Sequence, residues 1–340
     1  MSQTREATLE TLHRVSQQYL ASTDEARLEK EAANWRPRPG LWGRIQQASR
    51  WLPGVRLRQQ PIDDHIIHYW QLGPKRGTPV VLVHGFASSK ENWLTLLPLL
   101  RRGYTLYVPD LPGFGQSSYR HDSHYSYGAQ AQRLAQWAER RSLPPAHWVG
   151  SSMGGAICAH LAARYPQRVL SVTLMNAAGL GAETLSTTDR VLMEGGNMLI
   201  PDSLSQTRDL FRVTTHRGSA LISLLMAPAM YRDLRHRAPI SRHIFRDMLR
   251  PEEEVADLAQ QIQVPVKVFW GDKDQVLDVS CAYRFADLIP HASLTVLKNI
   301  GHLPMLEAPS RTARILREFW ESEPVRNRAQ ELAPESVETA

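Results

Sequence analysis

The sequence contains little cysteine and no long hydrophobic run, and each absence excludes a class of protein. Only Cys158 and Cys281 are cysteines among its 340 residues, which is too few for a disulfide framework. No apolar run approaches the length of a membrane-spanning helix, and the N-terminal residues lack the basic-then-apolar order of a secretory signal. We therefore expect a cytoplasmic protein in which both cysteines are small buried apolar side chains.

Acidic residues are absent from residues 35–58, which run from Trp35 to Arg58 and contain six arginines and three tryptophans. The charge of this segment equals the formal net charge of the whole chain, +6, so the isoelectric point of 9.4 reflects one segment. Such residues suit an anionic lipid surface, where tryptophan lies at the interface and arginine pairs with phosphate. No nucleic-acid motif accompanies the charge, so we expect no nucleic-acid partner. Two interpretations stay open, which are peripheral contact with an anionic membrane surface and packing of the tryptophans on the body of the protein.

The most informative stretch is residues 149–155, which read VGSSMGG. It contains the pattern GxSxG from Gly150 to Gly154, with Ser152 at the centre. A serine in this pattern occupies a sharp turn between a strand and a helix, whose strained backbone tolerates only small residues two positions away on each side. A short apolar strand precedes the pattern, and an apolar-periodic helix that ends at Pro166 follows it. This context predicts Ser152 as a nucleophile on a strand-to-helix elbow.

Strand and helix patterns alternate on both sides of this elbow. Such alternation predicts an α/β fold with a mostly parallel central sheet that is covered by helices on both faces. The strand pattern stops between residues 179 and 250, where we expect several short helices broken at Pro201, Pro228, Pro239 and Pro251. The chain therefore divides into an N-terminal helical arm with the basic segment (1–54), a core (55–178 and 251–322), an inserted helical cap (179–250) and a disordered tail (323–340).

A serine nucleophile needs a base that accepts its proton and a carboxylate that orients the base. In sheets with this elbow, the partners follow the serine in the order acid, then histidine. Asp272, Asp274 and Asp278 follow a later strand, and Gly301 lets a short loop carry His302 back towards the elbow. We favour Asp274 as the acid, since Asp272 would brace the turn and Asp278 can cap the next helix. The other two acids remain alternatives.

The oxyanion that forms in such a reaction needs two hydrogen-bond donors. We expect the backbone N–H groups of Met153, directly after the nucleophile, and of Phe86, in the loop that follows the apolar strand at 79–84. This set of residues requires no cofactor.

His121 and His124, three residues apart in the stretch HDSH, are dense enough to suggest a pair of metal ligands. They lie in a predicted surface loop and have no third ligand nearby, so we assign no metal to them.

A family resemblance is carried by five stretches, HGFASSKENW, DLPGFGQS, GSSMGG, WGDKDQVLDVS and NIGHLPMLEAPSRTA. Together they resemble the α/β-hydrolase superfamily, and within it the branch of the monoacylglycerol lipases of the α/β-hydrolase-domain type and related bacterial lipases and esterases. The resemblance covers about residues 55–320. It implies the α/β-hydrolase fold, with Ser152 as nucleophile, Asp274 as acid and His302 as base. Relatives in that branch carry an N-terminal membrane span, where this chain has its arginine and tryptophan segment.

These features together predict a serine hydrolase that cleaves monoacylglycerols or medium- to long-chain acyl esters through an acyl-enzyme. The methionines of the cap suit an adaptable acyl pocket, and they equally suit packing of the cap on the core. Two other functions stay open, which are a carbon–carbon bond hydrolase of ring-cleavage products and a non-catalytic ligand-binding protein of the same fold. The sequence does not indicate the oligomeric state.

Overall fold

The computed structural model describes residues 2–38, 40–48, 53–216 and 219–333. Its centre is a sheet of eight strands. The strands are β1 (Arg56–Pro61), β2 (Ile66–Leu72), β3 (Thr78–Val83), β4 (Tyr104–Pro109), β5 (Ala146–Ser151), β6 (Val169–Met175), β7 (Val266–Gly271) and β8 (Ser293–Leu297). They lie in the order β1-β2-β4-β3-β5-β6-β7-β8. The pairs β1–β2 and β2–β4 are antiparallel and all the others are parallel. The predicted α/β fold with a mostly parallel sheet is therefore confirmed.

The central strands are apolar because both of their faces are covered. Every residue of β5 and β6 is buried, and the last four residues of β3 are buried as well. Parallel strands with helices on both faces need continuous apolar runs of this kind. The edge strand β1 instead exposes Arg56 and Arg58, and charged side chains at an edge oppose pairing with another chain.

The N-terminal arm consists of helices α1 (Ser2–Ala21), α2 (Glu25–Asn34) and α3 (Leu41–Ala48), and it packs on the rest of the protein. Val15 and Tyr19 of α1 are buried, and the Tyr19 ring meets the Phe245 ring edge-on with 5.3 Å between centroids. Helices in proteins gain most of their stability from such packing of an apolar face and not from helix propensity alone.

Helices cover both faces of the sheet. After the short α4 (Leu97–Leu100), helices α5 (Tyr127–Arg140) and α6 (Met153–Arg164) bury Trp137 and Ile157 against one face. A second apolar cluster on the other face includes Leu100 of α4 and Trp93. The elbow strand therefore lies between two apolar layers.

The cap follows β6 and contains α7 (Thr187–Met193), α8 (Leu204–Thr214) and α9 (Ser219–Met248). The prediction of breaks at Pro228 and Pro239 is wrong, because α9 runs through both prolines. A proline inside a helix costs about 3 kcal/mol or more, since it removes one backbone hydrogen bond and clashes with the preceding turn. The packing of α9 against α2, α3 and α8 offsets that cost.

The chain returns to the core through α10 (Val255–Ala259), α11 (Ser280–Leu288), α12 (Pro304–Glu307) and α13 (Pro309–Trp320). The prediction of a disordered tail from residue 323 is wrong over α14 (Glu323–Glu331). Val325 of that helix is buried, and the Arg328 guanidinium donates to the Pro166 carbonyl at 3.0 Å. One buried apolar side chain and this hydrogen bond hold a polar helix on the core. The predicted tail at residues 334–340 lies outside the described residues.

The prediction that both cysteines are buried is confirmed. Cys158 and Cys281 are both buried and unbridged, and burial raises the pKa of each thiol. Over the ranges that the structure describes, we find no helix with the length and apolar character needed to cross a bilayer.

Candidate active site

Ser152 lies at a sharp turn between the end of β5 and the start of α6. Its backbone has φ +55° and ψ −120°, a conformation that side-chain-bearing residues rarely adopt. The turn is held by a hydrogen bond of 2.9 Å from the Ser152 N–H to the Met175 carbonyl at the end of β6. Such strain persists only where the surroundings determine it, and it concentrates at functional sites.

The glycines on either side of Ser152 are required by close backbone approach. A Cβ atom at Gly150 would lie 2.0 Å from the Gly154 carbonyl oxygen, and one at Gly154 would lie 2.3 Å from the Val83 carbonyl oxygen. Neither neighbour is a flexible side chain that can move away. These distances give the physical reason for the small residues of the GxSxG pattern.

Asp274 and His302 lie in hydrogen-bonding contact. The Asp274 Oδ2 atom is 2.7 Å from His302 Nδ1, and both residues are buried. The other two acids are placed elsewhere: Asp272 lies beside Lys273, and Asp278 accepts a hydrogen bond from the Ser280 N–H at the start of α11. Of the three candidates, the structure brings Asp274 to the histidine.

The Asp274 carboxylate is fixed by three further donors. Its Oδ1 atom accepts hydrogen bonds from the N–H groups of Val276 at 2.8 Å and Leu277 at 3.0 Å. The Asn176 side chain donates to Oδ2 at 2.6 Å. The sequence analysis missed Asn176, although a polar residue directly after the apolar run of β6 was a signal in the sequence. The structure places it buried beside the elbow strand.

The loop that carries His302 is attached to the cap. The His302 N–H donates to the carbonyl of Thr214, the last residue of α8, at 3.2 Å. The Glu307 carboxylate accepts from the Gly301 N–H at 3.0 Å and from the His216 N–H at 2.9 Å. Glu307, which the sequence analysis also missed, therefore joins the histidine loop to the end of α8.

The loop after β3 runs beside the nucleophile. A Cβ atom at Gly85 would lie 3.0 Å from Ser152 Cβ and 3.3 Å from the Ser151 carbonyl oxygen. Phe86 follows in this loop, and its ring packs edge-on against Phe245 of the cap with 5.2 Å between centroids. Met153 begins α6, where the N–H groups of the first turn lack helical partners. The two predicted oxyanion donors thus lie on the two segments that flank Ser152.

His84, directly before Gly85, fixes the position of this loop and is not a base. It is fully buried, its Nδ1 atom is 2.8 Å from the Gly85 carbonyl oxygen, and its Nε2 atom accepts from the Leu111 N–H at 3.0 Å. These partners place the ring proton on Nδ1. Burial lowers the pKa of His84 to about 4, so the ring is neutral near pH 7.

A buried ion pair supports the same loop from below. Lys90 Nζ lies 2.7 Å from Asp110 Oδ2, and the Lys90 N–H donates to Asp110 Oδ1 at 2.8 Å. Glu91 Oε1 lies 3.2 Å from the same ammonium group, and burial raises the pKa of Glu91. A buried ion pair is stable only when close contacts compensate for the lost hydration of its charges. The contacts of Lys90 therefore anchor the chain that follows Phe86.

In the stretch considered for a metal site, Asp122 and His124 have other charged residues beside them. Asp122 is ion-paired with Arg120, and His124 lies 3.9 Å from Asp247. In the described part of the chain, no group of three histidine, cysteine or acidic side chains is arranged to hold a metal ion.

Comparison with known proteins shows the family of this chain. The model of the α/β hydrolase fold matches residues 78–309, which is more than half of the sequence. The chain belongs to the α/β-hydrolase fold family. The match contains the elbow, the three candidate acids and His302.

Among relatives of this α/β hydrolase, Lipase 1 of Psychrobacter immobilis is 31% identical over 74% of this chain and 79% of its own length. Lipase 3 of a Moraxella strain is 30% identical over 72% of this chain and 77% of its own. The human monoacylglycerol lipase ABHD6 is 27% identical over 79% of this chain and 83% of its own.

A solved structure described as a membrane phospholipase A, a bacterial virulence factor, superposes on this α/β hydrolase with a TM-score of 0.78. It is 31% identical, and the match covers 84% of this chain and 92% of the other. Hydrolases of meta-cleavage products match with TM-scores of 0.64 and 24% identity, a likeness that concerns the fold alone.

Proposed function

We propose that Ser152, Asp274 and His302 form the catalytic triad with which this ester hydrolase of the lipase and esterase type cleaves its substrates. The observation that carries the proposal is the 2.7 Å contact between Asp274 and His302, in a chain whose elbow holds Ser152 at φ +55°. A carboxylate bound to Nδ1 leaves Nε2 as the atom that can accept a proton from a serine hydroxyl.

The proposed reaction proceeds through an acyl-enzyme. His302 Nε2 accepts the hydroxyl proton of Ser152 while Oγ attacks the ester carbonyl carbon. The backbone N–H groups of Phe86 and Met153 donate to the oxyanion. The alcohol leaves with the proton from His302, and water, activated by the same histidine, then releases the acid and restores Ser152. Asp274 orients the imidazole throughout.

For the substrate, we propose esters with a medium or long acyl chain, including monoacylglycerols. Two kinds of support are available. The Phe86 ring, in the loop beside Ser152, packs edge-on against Phe114 of the loop after β4 and against Phe245 of the cap, so apolar rings join the cap to this loop. Apolar and aromatic side chains of this kind line sites for apolar ligands. The proteins named above that resemble this chain at 30% identity or more are two lipases and a phospholipase A.

The test is hydrolysis of p-nitrophenyl esters and monoacylglycerols of increasing chain length by the purified protein. Ser152→Ala should lower kcat by about ten-thousandfold or more, since it removes the covalent route. Ser151→Ala is the matched control: its hydroxyl is buried without a partner among the described residues, and its loss should leave most of the activity. A wild type that reacts with a fluorophosphonate probe at Ser152 yet cleaves no ester would reject the proposal in favour of carbon–carbon bond hydrolysis or ligand binding.

A further inference from the structure

Three leucines near the start of α9 are exposed to solvent. Leu221, Leu224 and Leu225 are 61%, 61% and 64% exposed. They lie in a run from residue 219 to 231 that contains no charged side chain. Clustered exposed apolar side chains of this size mark an interaction surface more often than single ones do.

Two arginines follow the leucines on the same side of α9. Positions 221, 224, 225, 228, 232 and 235 are all exposed and follow the spacing i, i+3, i+4, i+7, i+11, i+14. That spacing keeps side chains on one face of an α-helix. The face is apolar over its first half and carries Arg232 and Arg235 over its second. At 1.5 Å per residue, it extends about 21 Å.

The basic segment of the arm lies beside this face. Asp233 of α9 accepts hydrogen bonds from the N–H groups of Gly40, Trp42 and Gly43, which holds the start of α3 on α9. Leu41, at that start, is 58% exposed. Arg36, Arg38 and Arg44 of the same segment are exposed as well.

Trp35, in contrast, is part of the packing. Its Nε1–H donates to the His236 carbonyl at 2.9 Å, its ring meets Tyr119 edge-on, and Arg237 lies over it. Of the two interpretations of residues 35–58, the packing one therefore describes Trp35. The exposed apolar side chains next to the arginines are leucines.

We propose that this surface docks on an anionic lipid bilayer, with the leucines in the acyl region and the arginines at the headgroups. We call it the docking face, and it consists of Leu221, Leu224, Leu225, Arg232 and Arg235 of α9 together with Arg36, Arg38, Leu41 and Arg44. Charge complementarity decides the occupant: within the ranges that the structure describes, none of these five arginines is ion-paired to a carboxylate. The nearby Glu31 carboxylate is engaged by Arg27 and Arg242.

The apolar end of the docking face lies close in sequence to the end of α8, which contacts the loop that carries His302. Leu221 follows Thr214, whose carbonyl accepts the His302 N–H, by seven residues. A bilayer bound there would present acyl esters near the cap end that touches the histidine loop. This role as the entry side for substrate rests on the proposed function, whereas vesicle binding does not.

The experiment measures binding of the full chain to vesicles of phosphatidylcholine, alone or mixed with phosphatidylglycerol, by co-sedimentation. We expect binding to the mixed vesicles that weakens with salt. Leu221→Ser, Leu224→Ser and Leu225→Ser combined should weaken it by about tenfold or more. Arg232→Gln with Arg235→Gln should weaken it by about fivefold for each arginine, and only on the anionic vesicles.

Matched controls remove similar side chains elsewhere. Tyr283→Ser removes an exposed ring on α11, and Arg311→Gln removes an exposed arginine on α13, and neither should change binding. Equal binding to both vesicle types, or a loss in the control variants as large as in the leucine variant, overturns the proposal. A dimer without vesicle affinity that dissociates in the leucine variant also overturns it, and size-exclusion chromatography detects that outcome.

Hydrolysis of a short, water-soluble p-nitrophenyl ester separates the two proposals. It should be the same in the wild type and in every docking-face variant, which also shows that the variants fold. A protein that binds vesicles and cleaves no ester would contradict the proposed function alone, and one that cleaves esters without binding vesicles would contradict docking alone.

Discussion

The Asn176 side chain donates a 2.6 Å hydrogen bond to Asp274 Oδ2, the same oxygen that lies 2.7 Å from His302 Nδ1. Two donors on one oxygen, with two backbone N–H groups on the other, fix the plane of the carboxylate. We infer that Asn176 is a positioning residue, which acts on the reaction through Asp274.

Replacement of Asn176 by glycine tests this role. Glycine removes the amide and tolerates the φ of +45° at this position, so backbone strain is not added. We expect kcat on a p-nitrophenyl ester to fall by about tenfold with little change in KM, since a hydrogen bond to a charged group is worth about 1.5–3 kcal/mol. Asn176→Asp places a second carboxylate beside Asp274 and should lower kcat further. Unchanged kcat in the glycine variant would show that the backbone donors alone hold Asp274.

The close backbone contacts of the elbow glycines predict a loss of stability when a side chain is added there. Gly150→Ala puts a Cβ atom 2.0 Å from a backbone oxygen, and we expect it to lower the free energy of unfolding by about 3 kcal/mol or to prevent folding. The matched control is Gly128→Ala in α5, where the nearest atom to the new Cβ would be 3.5 Å away. That change should be neutral or stabilise by up to about 1 kcal/mol. Thermal unfolding followed by circular dichroism compares the two, and equal melting temperatures would refute the steric argument.

The features that could be predicted from the sequence are those that one local segment determines. The elbow can be predicted because the close backbone contacts that require glycine involve Gly150 and Gly154, each two residues from Ser152. The alternation of strands and helices is readable because both faces of a parallel sheet must be apolar. Asp274 was favoured from its place in a loop, and that loop does bring it to His302.

The features that were missed depend on partners distant in the chain. Asn176 and Glu307 are single polar residues whose roles depend on Asp274 and on His216, about a hundred residues away in each case. The continuity of α9 through Pro228 and Pro239 depends on helices that pack against it, which local propensity does not contain. The helix of the tail depends on the burial of Val325.

Glu307 provides a test of the link between cap and histidine loop. Glu307→Ala removes the acceptor for the N–H groups of Gly301 and His216, so we expect kcat to fall by about fivefold. Glu307→Gln keeps one acceptor oxygen and should have an intermediate kcat. Glu318→Ala, which removes an exposed carboxylate on α13, is the control and should match the wild type. Wild-type kinetics in Glu307→Ala would mean that the bond from His302 N–H to Thr214 suffices.

Buried histidines make the fold sensitive to acid. His160 of α6 is buried, and neither ring nitrogen has a hydrogen-bond partner among the described residues. Burial lowers the pKa of His160 from 6.5 to about 4. Between these two values the unfolded chain binds the proton and the folded chain does not, so stability is full above about pH 6.5 and falls as the pH decreases towards about 4.

His160→Leu should remove this part of the acid sensitivity. We expect the variant to gain stability relative to the wild type on acidification from about pH 7.5 to about pH 5, by up to about 2 kcal/mol. Urea unfolding at the two pH values measures the difference. The exposed His121 gives the control, because His121→Leu should leave the pH dependence of the wild type unchanged. An identical pH dependence in His160→Leu would show that His160 is protonated in the folded protein at the lower pH, and that a buried imidazolium is accommodated in α6.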